Sequence, residues 1–258
     1  MGQGTVALCH SSDHSVGFVR IRLCRMRIFS FHLVETTLTT TVGALFRPPT
    51  KDVVAGLHHA ECMAAMTLGA PIFSAARMQL RNLAVFAAWE STEALDAYLA
   101  DTKLGRQLSA GWHVRLELLR RWGRFSEFDD FQPTVEGIDP DQPVVAVTLA
   151  RLKLPQVFRF VRWGKPVEEQ VRDHPGTSLA LAAIRPLRTF STFSVWRSLR
   201  EMTDMVHGKG SSPGAGHHAG AMLERDRKDF HHEFTTLRFR AISEHGIWMA
   251  RRNIVPEP

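Results

Sequence analysis

The chain has few cysteines and no long apolar run, and both absences narrow the choice of protein class. Its 258 residues include three cysteines, Cys9, Cys24 and Cys62, an odd number without the spacing of a metal site. This argues against a disulfide scaffold and predicts a cytoplasmic protein, because free thiols are typical of a reducing compartment. No apolar stretch approaches the roughly 18 residues that cross a membrane, so we expect no transmembrane segment.

Strong catalytic motifs are also lacking. The chain has no Walker loop, no G-x-G-x-x-G, no H-E-x-x-H and no C-x-x-C. The net charge is +6, but lysines and arginines are mixed with acidic residues along the chain, and no recognition motif accompanies them. We therefore expect no nucleic-acid partner.

The second half of the chain repeats the first half. The segment LAVFAAWES at 83–91 recurs as FSTFSVWRS at 190–198, an offset of 107 residues, and each copy ends in a tryptophan and a helix-starting serine. A repeat of this length corresponds to a whole small domain rather than to a solenoid unit. We therefore expect Trp89 and Trp196 to occupy equivalent packing positions.

The hydrophobic pattern predicts the same element order in both halves. In the first half we predict strand sequence at 28–46, a helix at 51–68, strands at 72–79 and 82–89, a helix at 92–110 and a strand at 112–122. In the second half we predict a strand at 144–152, a helix from Pro155 that breaks near Pro166, strands at 179–187 and 189–196, helices at 199–207 and 217–230, and a strand at 232–242, and the tail at 247–258 could add another.

This β-α-β-β-α-β order is the ferredoxin-like arrangement. The predicted fold class is α+β, with two tandem ferredoxin-like repeats packed within one chain as a dimeric α/β barrel. The predicted domains are a poorly ordered extension at 1–27, repeat one at 28–127, a linker at 128–143 and repeat two at 144–258.

Histidine is the one chemically versatile residue type in excess. Three adjacent pairs occur, at 58–59, 217–218 and 231–232, and neighbours in sequence cannot both face one ligand. His207 and His218 differ from the others because they flank a glycine-rich loop, where an imidazole could ligate iron or transfer a proton. Arg225 follows on the same predicted helix and could meet an anionic group, although a solvated helix face that pairs with Glu224, Asp226 and Asp229 is the favoured interpretation.

The second half resembles the spheroidene monooxygenase family. The stretches that carry the resemblance are RFVRWG at 159–164, PGT at 175–177, TFSVW at 192–196, His218 with Ala221, DFHHEF at 229–234 and RF at 238–239. The loop before His218 is longer than in that family. The resemblance implies a dimeric α/β-barrel oxygenase with a haem and an apolar, carotenoid-like substrate. It also implies His218 as the metal ligand, and we take His207 and Arg225, from their positions, as further candidate cofactor-binding residues.

Three functions remain open at this point. The first is a monooxygenase with its substrate in a cavity between the two sheets, and the resemblance implies that it depends on haem. The second is a cofactor-free oxygenase of the antibiotic-biosynthesis type, and the third is a non-catalytic barrel that binds a small apolar molecule. The expected partner is that small molecule, and a homodimer is left open.

Overall fold

The structure is a computed structural model that describes residues 27–71, 74, 77–133, 138–209 and 216–257. Its eight strands are β1 (Ile28–Glu35), β2 (Leu57–Met66), β3 (Met78–Trp89), β4 (Trp112–Arg124), β5 (Val144–Leu152), β6 (Thr177–Arg185), β7 (Thr189–Trp196) and β8 (His231–His245). Its helices are α1 (Leu38–Phe46), α2 (Thr92–Asp101), α3 (Lys103–Ala110), α4 (Val157–Asp173), α5 (Leu199–Val206) and α6 (His217–Arg227). The predicted extension at 1–27 lies outside the described residues except for its last residue.

The strands form one closed barrel in the order β1-β3-β2-β6-β7-β5-β8-β4, and every pairing is antiparallel. The four strands of each half have the same internal order, β4-β1-β3-β2 and β8-β5-β7-β6. A short seam joins β2 to β6 and a long one joins β4 to β8. This confirms the prediction of two ferredoxin-like units packed as a barrel within one chain.

Equivalent residues of the two units have equivalent surroundings. Trp89 lies opposite Ile28, and Trp196 lies opposite Val144, the first residues of β1 and β5. Each indole is buried and donates to a serine hydroxyl. Ser91 and Ser198 cap α2 and α5, because their hydroxyls accept from the backbone N–H groups three residues later.

Two elements of the first unit differ from the sequence prediction. The strand predicted over 28–46 ends at Glu35, and Leu38–Phe46 is helix α1, capped by the Thr37 hydroxyl. The prediction of a helix over 51–68 was wrong, because this segment consists of turns followed by strand β2. β2 is covered by the barrel interior on one face and by helices on the other, so its apolar residues do not alternate.

Smaller differences occur elsewhere. Of the strand predicted at 72–79, Met78 and Gln79 begin β3, the described residues Ser74 and Arg77 precede it outside any strand, and 72–73 and 75–76 lie outside the described residues. The helix predicted at 92–110 is divided at Thr102, which caps α3. Helix α4 continues through Pro166, and the residue four positions earlier, Arg162, is exposed to solvent that can satisfy its carbonyl.

Apolar side chains of the described strands fill the barrel, so the cavity predicted between the two sheets is replaced by a packed core. Phe31 and Phe193 stack across its centre with ring centroids 3.7 Å apart. The segment after each final strand covers one end of the barrel. Phe125, Phe128 and Phe131 follow β4 at one end, and Trp248 and Ile254 follow β8 as parts of the same core. The tail after β8 forms only an isolated bridge in the described residues.

Candidate functional site

A row of three threonines crosses the outer face of the second sheet. Thr148 on β5 lies directly opposite Thr192 on β7 and Thr236 on β8, and all three are partly exposed although helices cover this face. The equivalent row in the first unit consists of His32, Val85 and His113, which are all buried.

The second sheet is therefore less tightly covered than the first at this place, which we call the second-unit chamber: the threonine row with Ala146 and Ala180, on the face where α4 and α6 lie. Both alanines are likewise partly exposed. Small side chains in the middle of a covered sheet leave room for another molecule.

Helix α6 stands away from its sheet. Its counterpart α3 packs on β1 and β4, whereas α6 packs mainly on α4 and α5. Arg159 of α4 holds α6 from the side: its Nε donates to Glu224 Oε1 at 2.7 Å, and its Nη2 donates to the backbone carbonyl of Glu224 at 2.9 Å. Helix α6, which covers the chamber, is therefore held in place by α4 rather than by contacts with the strands.

His218 lies in the first turn of α6 and is partly buried. Its Nδ1 lies 3.1 Å from the Val206 carbonyl oxygen. Because a carbonyl oxygen only accepts, Nδ1 carries the proton and Nε2 keeps its lone pair. Burial lowers the pKa of His218, so the ring is neutral at neutral pH. A neutral imidazole held in this way is suited to bind a metal through Nε2.

The other two predicted site residues lie on either side of His218. His207 is exposed at the end of α5, with Nδ1 2.9 Å from the Thr203 carbonyl oxygen, and its charge lowers the pKa of His218. Arg225 lies seven residues further along α6, roughly 10 Å away along the helix axis. Its guanidinium covers the Phe234 ring at 4.6 Å. The glycine-rich loop at 210–215 lies outside the described residues.

The sequence analysis missed an aspartate–histidine pair beside α6. Asp229 Oδ1 accepts from both the backbone N–H and Nδ1 of His231, at 2.9 and 3.0 Å. Nε2 of His231 is buried without a hydrogen-bond partner, among Phe160, Phe230 and Phe234. Burial lowers the pKa of His231. The Asp-x-His spacing is visible in the sequence. Because His232 is adjacent, however, the sequence does not indicate which of the two imidazoles is buried.

A cationic group lies next to the threonine row. Arg238 is paired with Ala146 on β5, and its guanidinium covers one side of the Trp122 indole at 4.2 Å, while Arg120 contacts the same ring at 4.1 Å. Burial, with a smaller contribution from Arg120, lowers the pKa of Arg238 to about 10. Its Nε is buried without a hydrogen-bond partner, so it can donate to an anionic group.

The first unit has a different polar feature on its outer face. His32, His113 and His245 stack across β1, β4 and β8, with successive ring centroids 5.0 and 4.8 Å apart. The stack ends in a surface cleft of 380 Å³ that also contains Asp96 and Arg115. These two form an ion pair at 2.5 Å, so the cleft's strongest charges are already paired.

No helix among the described residues is long and apolar enough to cross a membrane. No protein-family model matches the sequence, and no curated protein matches it significantly.

Solved structures are similar in fold at low identity. An aldoxime dehydratase in complex with butyraldoxime is 10% identical, with a TM-score of 0.51, over 83% of this chain and 79% of that one. A provisionally named monooxygenase from Fusobacterium nucleatum is 11% identical, with a TM-score of 0.37, over 86% and 95% of the two chains. An anthrone oxidase-like protein is 14% identical, with a TM-score of 0.31, over 90% and 97%. The aldoxime dehydratase supports the fold assignment; at this identity it does not carry a function.

Proposed function

We propose that this protein is a monooxygenase that binds a small apolar organic substrate in the second-unit chamber. The observation that carries the proposal is the partly exposed threonine row, whose counterpart in the first unit is buried. Apolar side chains adjoin the row: Phe160 and Phe190 meet edge to face at 5.1 Å between α4 and β7. Apolar walls with a few polar groups are typical of small-molecule sites.

A haem would fit the residues around α6. His218 supplies a neutral imidazole whose Nδ1 proton is fixed by the Val206 carbonyl, and Nε2 is then the iron-binding atom. Arg225 on the same helix supplies a cation for a propionate. A bound haem would supply the activation of oxygen. The chain's own contribution is to hold the iron through His218, to bind the substrate against the threonine row and to exclude water.

A second candidate is a cofactor-free oxygenase, which the Asp229–His231 pair favours. Such a reaction begins when the protein removes a proton from the substrate, after which the substrate anion reacts with oxygen directly. Nε2 of His231 is neutral, buried and unpartnered, and Asp229 would stabilise the imidazolium that forms. His231 would then be the general base, for a substrate bound beside the Phe160 and Phe234 rings.

The absorption spectrum of protein expressed with a haem precursor tests the proposal. We expect a Soret band that is lost or shifted in His218→Ala and retained in His217→Ala, which removes the exposed neighbouring imidazole. Circular dichroism should remain unchanged in both variants. A Soret band that is unchanged in His218→Ala would refute the assignment of the iron ligand.

Protein without a Soret band, even after addition of haemin, would refute the haem-dependent form of the proposal. Oxygen consumption with acidic aromatic substrates then separates the remaining functions. Consumption that requires His231 identifies the cofactor-free oxygenase, and its absence identifies a non-catalytic binding protein.

A further inference from the structure

A polar cluster lies at the end of the barrel that residues 125–131 close. Glu61 on β2 lies opposite Phe86, whose ring belongs to the barrel core, so its carboxylate faces the barrel interior. His59 lies two residues earlier on the same face, and its ring meets the edge of Phe128 at 5.4 Å. Glu127 comes from the closing segment itself. The cluster therefore joins β2 to the segment that covers this end.

Three potential metal ligands converge in this cluster. His59 Nε2 lies 3.0 Å from Glu61 Oε1, and one ligand atom from each of His59, Glu61 and Glu127 lies within 4.8 Å of the other two. Glu61 is only 2% exposed, and its second oxygen, Oε2, is buried without a hydrogen bond. The two oxygens of a carboxylate share one carbon, so this unpartnered oxygen lies beside the convergence point.

The charges around the cluster do not balance. Arg151 contacts both Glu127 and Glu233, and Arg185 approaches Glu61 Oε2 at 3.9 Å. These five residues carry three negative and two positive charges. One negative charge is thus left at a site where Glu61 is almost completely buried, and an uncompensated buried charge is costly.

We propose that His59, Glu61 and Glu127 bind one divalent transition-metal ion. One imidazole nitrogen and two carboxylate oxygens are ligands that Zn²⁺ accepts, with a water completing four-coordination. The ion neutralises the excess negative charge and holds the closing segment to β2. These three residues should bind a hard cation such as Mg²⁺ more weakly, because Mg²⁺ prefers oxygen ligands.

Titration with Zn²⁺ by calorimetry, and with Co²⁺ by visible absorption, tests this site in the full-length chain. We expect one tight Zn²⁺ site per chain, a visible Co²⁺ band from the same site, and no comparable binding of Mg²⁺. Glu61→Gln and Glu127→Gln should each weaken Zn²⁺ binding at least about tenfold, since losing a ligand exceeds the usual effect of losing a supporting contact. His58→Ala removes the neighbouring imidazole outside the cluster and should leave the affinity unchanged.

The alternative is that a proton on His59 supplies the missing positive charge. In that case the chain shows no visible Co²⁺ band, or binds Zn²⁺ equally well in wild type, Glu61→Gln and Glu127→Gln, and either result overturns the proposal. Glu127 is partly exposed, so Glu127→Gln is decisive should Glu61→Gln fail to fold.

Discussion

His32 and His113 lie directly opposite each other on β1 and β4, with their rings stacked at a centroid distance of 5.0 Å and an angle of 20°. Both rings are buried, and Nδ1 of each lacks a hydrogen-bond partner. Burial, followed by the charge of His113, holds the pKa of His32 well below its usual range. Burial, followed by the charge of His245, lowers the pKa of His113 to about 4.

These shifts predict that the protein loses stability in mild acid. The unfolded chain takes up protons at these histidines near pH 6.5, whereas the folded chain resists until lower pH, so stability is fully present above about pH 6.5. The free energy of unfolding should fall between about pH 6.5 and pH 4, by about 2 kcal/mol from His113 after allowing for solvent screening. Urea unfolding at several pH values measures it. His113→Phe should weaken this dependence and leave the part due to His32, whereas replacement of the exposed His232 by alanine should preserve it in full.

Glu168 and Arg77 form a buried ion pair between the two units. Both guanidinium Nη atoms donate to the carboxylate at 2.8 Å, and the N–H of Gly69 donates to the same carboxylate at 2.9 Å. Glu168→Gln leaves the buried guanidinium without its counter-charge, so we expect it to destabilise the protein by about 3–5 kcal/mol. Thermal unfolding measures the loss. Asp141→Asn breaks an exposed pair with Arg200 and should change nothing measurable.

Phe128 closes one end of the barrel. Its ring is completely buried and contacts Phe29, Phe86 and Phe125. Phe128→Ala should cost about 3–5 kcal/mol, because the cavity cannot be refilled from the packed core. Phe158→Ala on α4 is the matched control, since that ring is 78% exposed and should contribute little. Equal losses in denaturant unfolding would show that residues 125–131 do not close the barrel.

The second-unit chamber predicts opposite effects for two neighbouring threonine positions. Thr148 faces the chamber, so Thr148→Leu should leave the melting temperature nearly unchanged and remove small-molecule binding. Thr235 points into the barrel, is completely buried and donates to the Trp122 carbonyl at 2.8 Å. Thr235→Leu should therefore destabilise the protein by about 1–3 kcal/mol through overpacking. Strong destabilisation by Thr148→Leu would show that the chamber is not open.

The repeat made the barrel predictable, whereas some local elements were not. The repeated segment at 83–91 and 190–198 occurs at the same place in both halves. It therefore predicts two units with the same strand order. β2 was mistaken for a helix because both its faces are buried, and a continuous apolar run has no period that distinguishes a strand from a helix. The sequence does not predict helix α1, because its threonines favour strands and only Thr37, as a possible N-cap, indicates that a helix begins here.

The site was less predictable than the fold. His218 could be singled out by its place after the glycine-rich loop, and its hydrogen bond to Val206 is a contact between segments 12 residues apart. The threonine row depends on the register of three strands, which no local pattern specifies. The roles of Asp229 and His231 depend on burial by Phe160 from a distant helix.

The most direct test of the account is an NMR titration of threonine methyl groups with haemin. The paramagnetic iron broadens the signals of methyl groups near it. The account predicts selective broadening of Thr148, Thr192 and Thr236, while Thr41, which is buried in α1 of the first unit, keeps its signal. Broadening confined to the first unit, or no selective broadening of the three threonines, would contradict a haem site over the second sheet.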